Sequence, residues 1–194
     1  MNTKGSIPIE KANFQSIIWF YLFECPVRTR KRKKNKLKVQ GSSIPQPKYN
    51  YEYVRVCQRG KSFADRGLTG GNLNALRAAM KRVVSSETRV ETVEEDVSSY
   101  SCSGEHLIVH KNEDNISDTE GLFYCIRNAF AHGSFEVIGD TYYFENYSDG
   151  VLVGKGMLKE STLLMWKNLV DMSIEDIKMA GKPVRKKAER KKSA

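Results

Sequence analysis

Residues 117–133 constrain the fold most, because they carry signals for both ends of a helix and for the face it must bury. Ser117 and Glu120 stand in capping-box spacing, and Asp118 sits where the positive end of the helix dipole favours an acid. Leu122, Cys125, Ile126, Ala129 and Phe130 recur three and four residues apart, giving one apolar stripe. Gly133 supplies a left-handed stop. Immediately behind, FEVIG and TYYFEN flank Gly139 and Asp140 as a predicted hairpin, and the turn YSDG leads into VLVGKGM.

Other segments read by the same rules. Residues 8–24 predict a first helix with Phe14, Ile17, Ile18, Tyr21 and Leu22 on one face, ended by Cys25-Pro26. The apolar run at 17–27 is too short to span a membrane, which takes about 20 residues. Residues 49–57, YNYEYVRVC, are rich in strand formers. Asn72 is a predicted N-cap after the turn at 67–71, with Leu73, Leu76, Met80 and Val83 as the buried stripe of a helix reaching Val84. Residues 87–103 give no clear pattern. HLIVH, 106–110, alternates like a short strand with Leu107 and Val109 on one face. Residues 161–178 predict a last helix with Leu163, Trp166, Leu169, Val170 and Ile174 inward, closed by Gly181-Lys182-Pro183.

The charge is concentrated. The 194-residue chain carries 32 Lys and Arg against 23 Asp and Glu, a net +9. Residues 28–38 hold eight Lys and Arg and no acid, and residues 182–192 hold seven with one acid, Glu189. Without these blocks the body has 17 basic and 22 acidic residues. Blocks of this kind form solvated arms and attract polyanions. Arg28, Arg30, Lys31, Arg32, Lys33 and Lys34, with Arg185, Lys186 and Lys187, are the candidate RNA-binding residues. Tyr49, Tyr51 and Tyr53 could stack bases, although strands favour such residues anyway. The four cysteines, Cys25, Cys57, Cys102 and Cys125, show no zinc-module or disulfide spacing, and the expected compartment is a reducing cytoplasm. Cys102, His106 and His110 would share a face on a helix, but Gly104 and the alternating LIV favour turn and strand, so no metal or cofactor is expected.

Inside the helix at 117–133 stands RNAFAHG, 127–133. Its Arg127, Asn128 and His132 combine a guanidinium that grips phosphate with a side chain able to move protons near neutral pH. This segment resembles the signature of the HEPN superfamily: an arginine, a polar residue, and a histidine four to six residues after the arginine. The Tyr- and Asn-rich hairpin and LKESTLLMW, 158–166, resemble a plasmid- and prophage-associated HEPN branch. The resemblance covers roughly 117–170.

The resemblance implies a mainly α fold (α+β), a HEPN-type helical bundle with a β-hairpin inserted between its last two helices. It also implies a metal-independent endoribonuclease of toxin or phage-defence type. Arg127, Asn128 and His132 would be catalytic at the interface of a homodimer, with RNA as substrate and a cognate antitoxin or defence partner. The alternatives are a non-catalytic nucleic-acid-binding regulator and a dimerisation or partner module. The expected organisation is an N-terminal helix over 1–27, a basic linker over 28–48, a HEPN-like domain over 49–181 and a basic disordered tail over 182–194.

Overall fold

The computed structural model describes residues 10–33, 50–57, 59–111 and 116–183; for 29–33 and 50–53 the backbone alone is described. In chain order the elements are α1 (Lys11–Trp19), β1 (Arg28–Lys33), β2 (Asn50–Arg55), α2 (Gly71–Arg82), β3 (Arg89–Val93) and β4 (His106–His110). Then come α3 (Asp118–His132), β5 (Phe135–Ile138), β6 (Thr141–Ser148), β7 (Val151–Lys159), α4 (Glu160–Asp171) and α5 (Ile174–Met179). No helix among the described residues is long and apolar enough to cross a membrane.

Five strands form one mixed sheet in the order β3-β4-β7-β6-β5. The β3–β4 pair is parallel and the other pairs are antiparallel. This overturns the expected HEPN-type helical bundle with an inserted hairpin. The hairpin exists between α3 and α4, but it forms three strands of a five-stranded sheet in an α+β fold. The physical reason is that β7 would otherwise expose a free edge of unpaired backbone groups. Strand β4 fills it, pairing Leu107 with Gly156 and Val109 with Gly154.

Leu107 and Val109 face the main core, while Ile108 faces a smaller cluster with Val93 and Val97 on the opposite side. The main core joins Ile17, Phe20 and Tyr21 to Leu76 and Met80, to Leu122, Ile126 and Phe130, to Tyr142, Phe144 and Leu158, and to Leu163 and Trp166. The N-terminal helix therefore belongs to the same core as the rest. It continues beyond α1 as a π-helical turn, Phe20–Glu24, in which Cys25 N–H donates to the Phe20 carbonyl at 2.8 Å. That wider turn carries Phe20 and Tyr21 inward and leaves Trp19 and Phe23 exposed.

Three local expectations change. Gly70, not Asn72, is the N-cap of α2, and the Asn72 amide braces the preceding turn by donating to the Gly67 carbonyl at 2.9 Å. The single helix expected over 161–178 breaks into α4 and α5, because the Ser173 hydroxyl accepts the Asp176 N–H and starts a new helix. Part of the linker expected over 28–48 is β1, paired with β2 in a separate two-stranded ribbon.

The capping box of α3 is half made. Ser117 Oγ accepts the Glu120 N–H at 3.2 Å, but the Glu120 carboxylate turns instead to Arg28. Arg28 Nε and Nη2 each donate to one carboxylate oxygen at 2.9 Å, and Glu120 is only 2% exposed. This bidentate pair ties the start of the ribbon to α3. Arg28→Met should lower the unfolding free energy by about 1–3 kcal/mol, the cost of stranding a buried charged acceptor. Adding Glu120→Gln should recover part of that loss in denaturant midpoints. A penalty unchanged by the second substitution would show that the ion pair is not its source.

Candidate functional site

Helix α3 carries all three residues of the motif, and the structure gives each different surroundings. Arg127 Nη1 donates to Asn128 Oδ1 at 3.0 Å. Because arginine only donates, that bond fixes the amide with its Nδ2 hydrogens on the other side. Arg127 Nε is buried with no hydrogen-bond partner among the described residues. The guanidinium lies close enough to the Cys57 thiol to act on it. His132 stands in the exposed last turn, four residues after Asn128 and therefore on the same helix face. Gly133 ends the helix at φ 69°, and its N–H returns to the Phe130 carbonyl. Among the described residues no hydrogen bond or ion pair joins Arg127 to His132. Within one chain, then, the structure unites Arg127 with Asn128 and aligns Asn128 with His132, but does not bring arginine and histidine together.

The face bearing Gly121, Tyr124, Cys125 and Asn128 lines a cleft of about 610 Å³. Its far wall is built by Val109, His110 and Lys111 at the end of β4, and by Asn146, Tyr147 and Ser148 of β6. His110 Nδ1 donates to the Glu95 carbonyl at 3.3 Å, and Lys111 Nζ donates to Glu94 at 2.9 Å. Asn146 was missed at the level of sequence. Strand β6 alternates Tyr142, Phe144 and Asn146 toward the interior, so a carboxamide at the third inward position was the available signal. Asn146 is 8% exposed, and its amide makes no hydrogen bond among the described residues.

The candidate RNA-binding residues divide. Arg28 is held by Glu120 and serves the fold. Arg30, Lys31, Arg32 and Lys33 lie in β1, where Arg30 is opposite Tyr53, Arg32 opposite Tyr51, Lys31 opposite Glu52 and Lys33 opposite Asn50. Lys34, Tyr49, Arg185, Lys186 and Lys187 lie outside the described residues. At the foot of the ribbon Arg55 donates to the Arg59 and Gly60 carbonyls, and the Arg59 guanidinium covers the Trp19 ring at 4.9 Å.

His106 and His110 stand at the two ends of an extended strand rather than on one helical face. Among the described residues no group of three His, Cys, Asp or Glu side chains could hold a metal ion. No protein-family model matches the chain, and neither a curated protein nor a solved structure matches it. The HEPN resemblance therefore rests on the sequence of 117–170 alone.

Cys25, Cys57 and Cys125 are buried. Burial pushes the Cys25 thiol well up and the Cys125 thiol up to about 12. Burial also raises Cys57, against the opposing pull of the Arg127 guanidinium. A raised value keeps each as the unreactive thiol, since only the thiolate is nucleophilic. Native protein treated with iodoacetamide at about pH 8 should therefore take one adduct, at the part-exposed Cys102. Peptide mapping that finds Cys57 alkylated as fast as Cys102 would show that the Arg127 side of α3 opens to solvent.

Proposed function

We propose that this chain is a metal-independent endoribonuclease in which α3 supplies the reacting groups. The observation that carries the reading is the Arg127–Asn128 hydrogen bond at the edge of a nucleotide-sized cleft, with His132 exposed one turn further along the same face. The ribose 2′-oxygen attacks the adjacent phosphorus. A P–O2′ bond forms as the P–O5′ bond breaks. One proton leaves the 2′-hydroxyl and one reaches the departing 5′-oxygen, which is the work of an imidazole. Because the nucleophile is internal to the RNA, the step calls for no metal-bound water.

Asn128 offers its Nδ2 hydrogens to the phosphate or the base. Arg127 orients Asn128 in its own subunit and stabilises phosphoryl charge in the assembled site. One histidine is a thin site for two proton transfers, so the working form is a symmetric homodimer in which a second His132 and a second Arg127 complete the cleft. The basic ribbon and the Lys- and Arg-rich terminal block supply affinity for the RNA backbone. Cleavage of this kind suits a toxin or phage-defence protein held in check by a cognate antitoxin. The ribbon also favours a second reading, a nucleic-acid-binding regulator without cleavage, and the two diverge on whether RNA is cut.

In a dimer of about 44 kDa, twice the 22.1 kDa chain, His132→Ala should cost ~10²–10⁴ in cleavage rate without changing the melting temperature. Arg127→Met keeps the buried stem and should also remove most activity. An excess of EDTA should leave the wild-type rate unchanged. Cleavage that survives His132→Ala in a folded dimer, or that needs added magnesium, would sink the assignment.

A further inference from the structure

We propose that the cleft between α3 and the β4 and β6 strands binds one unpaired nucleobase through the side-chain amides of Asn146 and Asn128. This rests on the RNA-directed reading above, but it concerns recognition rather than cleavage.

Four observations converge on it. Asn146 is more than nine-tenths buried, lines the cleft, and has no hydrogen-bond partner among the described residues. The Asn146 amide is not sealed in the core but opens to the cleft, so an inward asparagine on a strand that otherwise buries Tyr142 and Phe144 offers its hydrogen-bonding groups to whatever the cleft holds. Asn128 lines the same cleft, and its Oδ1 is already occupied by Arg127, which leaves Nδ2 as its free donor. The third observation is Gly121. It lies inside α3, where glycine weakens a helix, yet a Cβ built there meets nothing within 4 Å. Any larger side chain would extend from this wall of the cleft. The fourth is size, since about 610 Å³ falls within the range of small-ligand sites.

The chemistry of the walls selects the ligand class. Two carboxamides offer donors and an acceptor suited to the edge of a base, as asparagine does when it reads adenine. Val109 and Tyr124 add apolar surface beside them. Lys111 is paired with Glu94 and His110 with the Glu95 carbonyl, so neither is needed for recognition. A base inside a duplex cannot enter such a cleft, whereas an unstacked base of single-stranded RNA can.

The test uses full-length protein carrying His132→Ala, so that binding is scored without cleavage. Each of the four nucleoside 5′-monophosphates is titrated to millimolar concentration while backbone amide shifts are followed by NMR. At least one should give saturable shifts at Gly121, Asn128 and Asn146, with a preference among bases. Asn146→Asp, nearly isosteric, exchanges donors for an acceptor and should change that preference by roughly ten-fold or more. Gly121→Leu should block binding by filling the cleft while removing no polar group, and its melting temperature shows whether the fold is intact. The proposal is overturned if no monophosphate shifts the cleft residues, which would leave water as the occupant. It is equally overturned if binding is indifferent to both substitutions in folded protein. Saturable binding in a protein whose wild type cuts no RNA would sustain this inference and remove the ribonuclease reading, so the two failures remain distinct.

Discussion

Helix α3 can bury its stripe only because the sheet beneath it lets the backbone come close. A Cβ on Gly154 of β7 would collide with the Cys125 sulfur, and one on Gly156 would collide with the Phe144 ring. Glycine weakens a strand, and here it stands where another group approaches the backbone. With those gaps open, Leu122, Phe123, Cys125, Ile126, Ala129 and Phe130 are all buried. Phe130 meets Phe135 and Tyr142 edge-on at 4.9 and 6.1 Å, which fixes the end of α3 against the strands that follow it. Everything proposed for Arg127, Asn128 and His132 depends on that docking.

Around this contact, buried polar groups hold the other helices by specific bonds. Trp166 Nε1 donates to the Met80 carbonyl at 3.1 Å, and Thr119 donates to the Leu73 carbonyl at 3.1 Å, linking α4 to α2 and α2 to α3. Arg82 donates to the Ala180 and Ile177 carbonyls and so satisfies the C-terminal end of α5. Arg66 does the same for α4 through the Val170 carbonyl and pairs with Asp171. Glu105 accepts from the Lys159 N–H and the Thr162 hydroxyl, each at 2.7 Å, joining the chain just before β4 to the start of α4. The core brings these elements together, and these bonds set which helix end meets which strand.

How much of this was legible follows from the range of each interaction. The start and stop of α3, its buried face and the hairpin behind it are local patterns, and the sequence carried them. The break at Ser173 was also local: Ser173 and Asp176 repeat the spacing of a helix start, but the apolar positions continue across it. Strand β3 was not legible, because its partner is β4 across a loop and its order comes from parallel pairing. The π-helical turn hid Phe20, since a helical period places it off the stripe. For the site, Arg127, Asn128 and His132 were found from the motif, yet their geometry was not. The motif spacing could not show that Arg127 turns to Asn128 and Cys57. Glu120, read as half of a capping box, holds Arg28 because a buried carboxylate takes the stronger charge-assisted partner.

The fold departs from the helical bundle that the motif suggested, so the proposed function stands on the site itself: a helix face that aligns an oriented asparagine with an exposed histidine beside a cleft of mixed polar and apolar walls. The account makes the RNA its own nucleophile, and the chemical ends of the products report that directly. Purified protein should be incubated with a defined single-stranded RNA in EDTA, and the products resolved by mass. The account predicts fragments ending in a 2′,3′-cyclic phosphate paired with fragments bearing a 5′-hydroxyl. Fragments with a 3′-hydroxyl and a 5′-phosphate, or RNA left intact by a folded dimer, would contradict it.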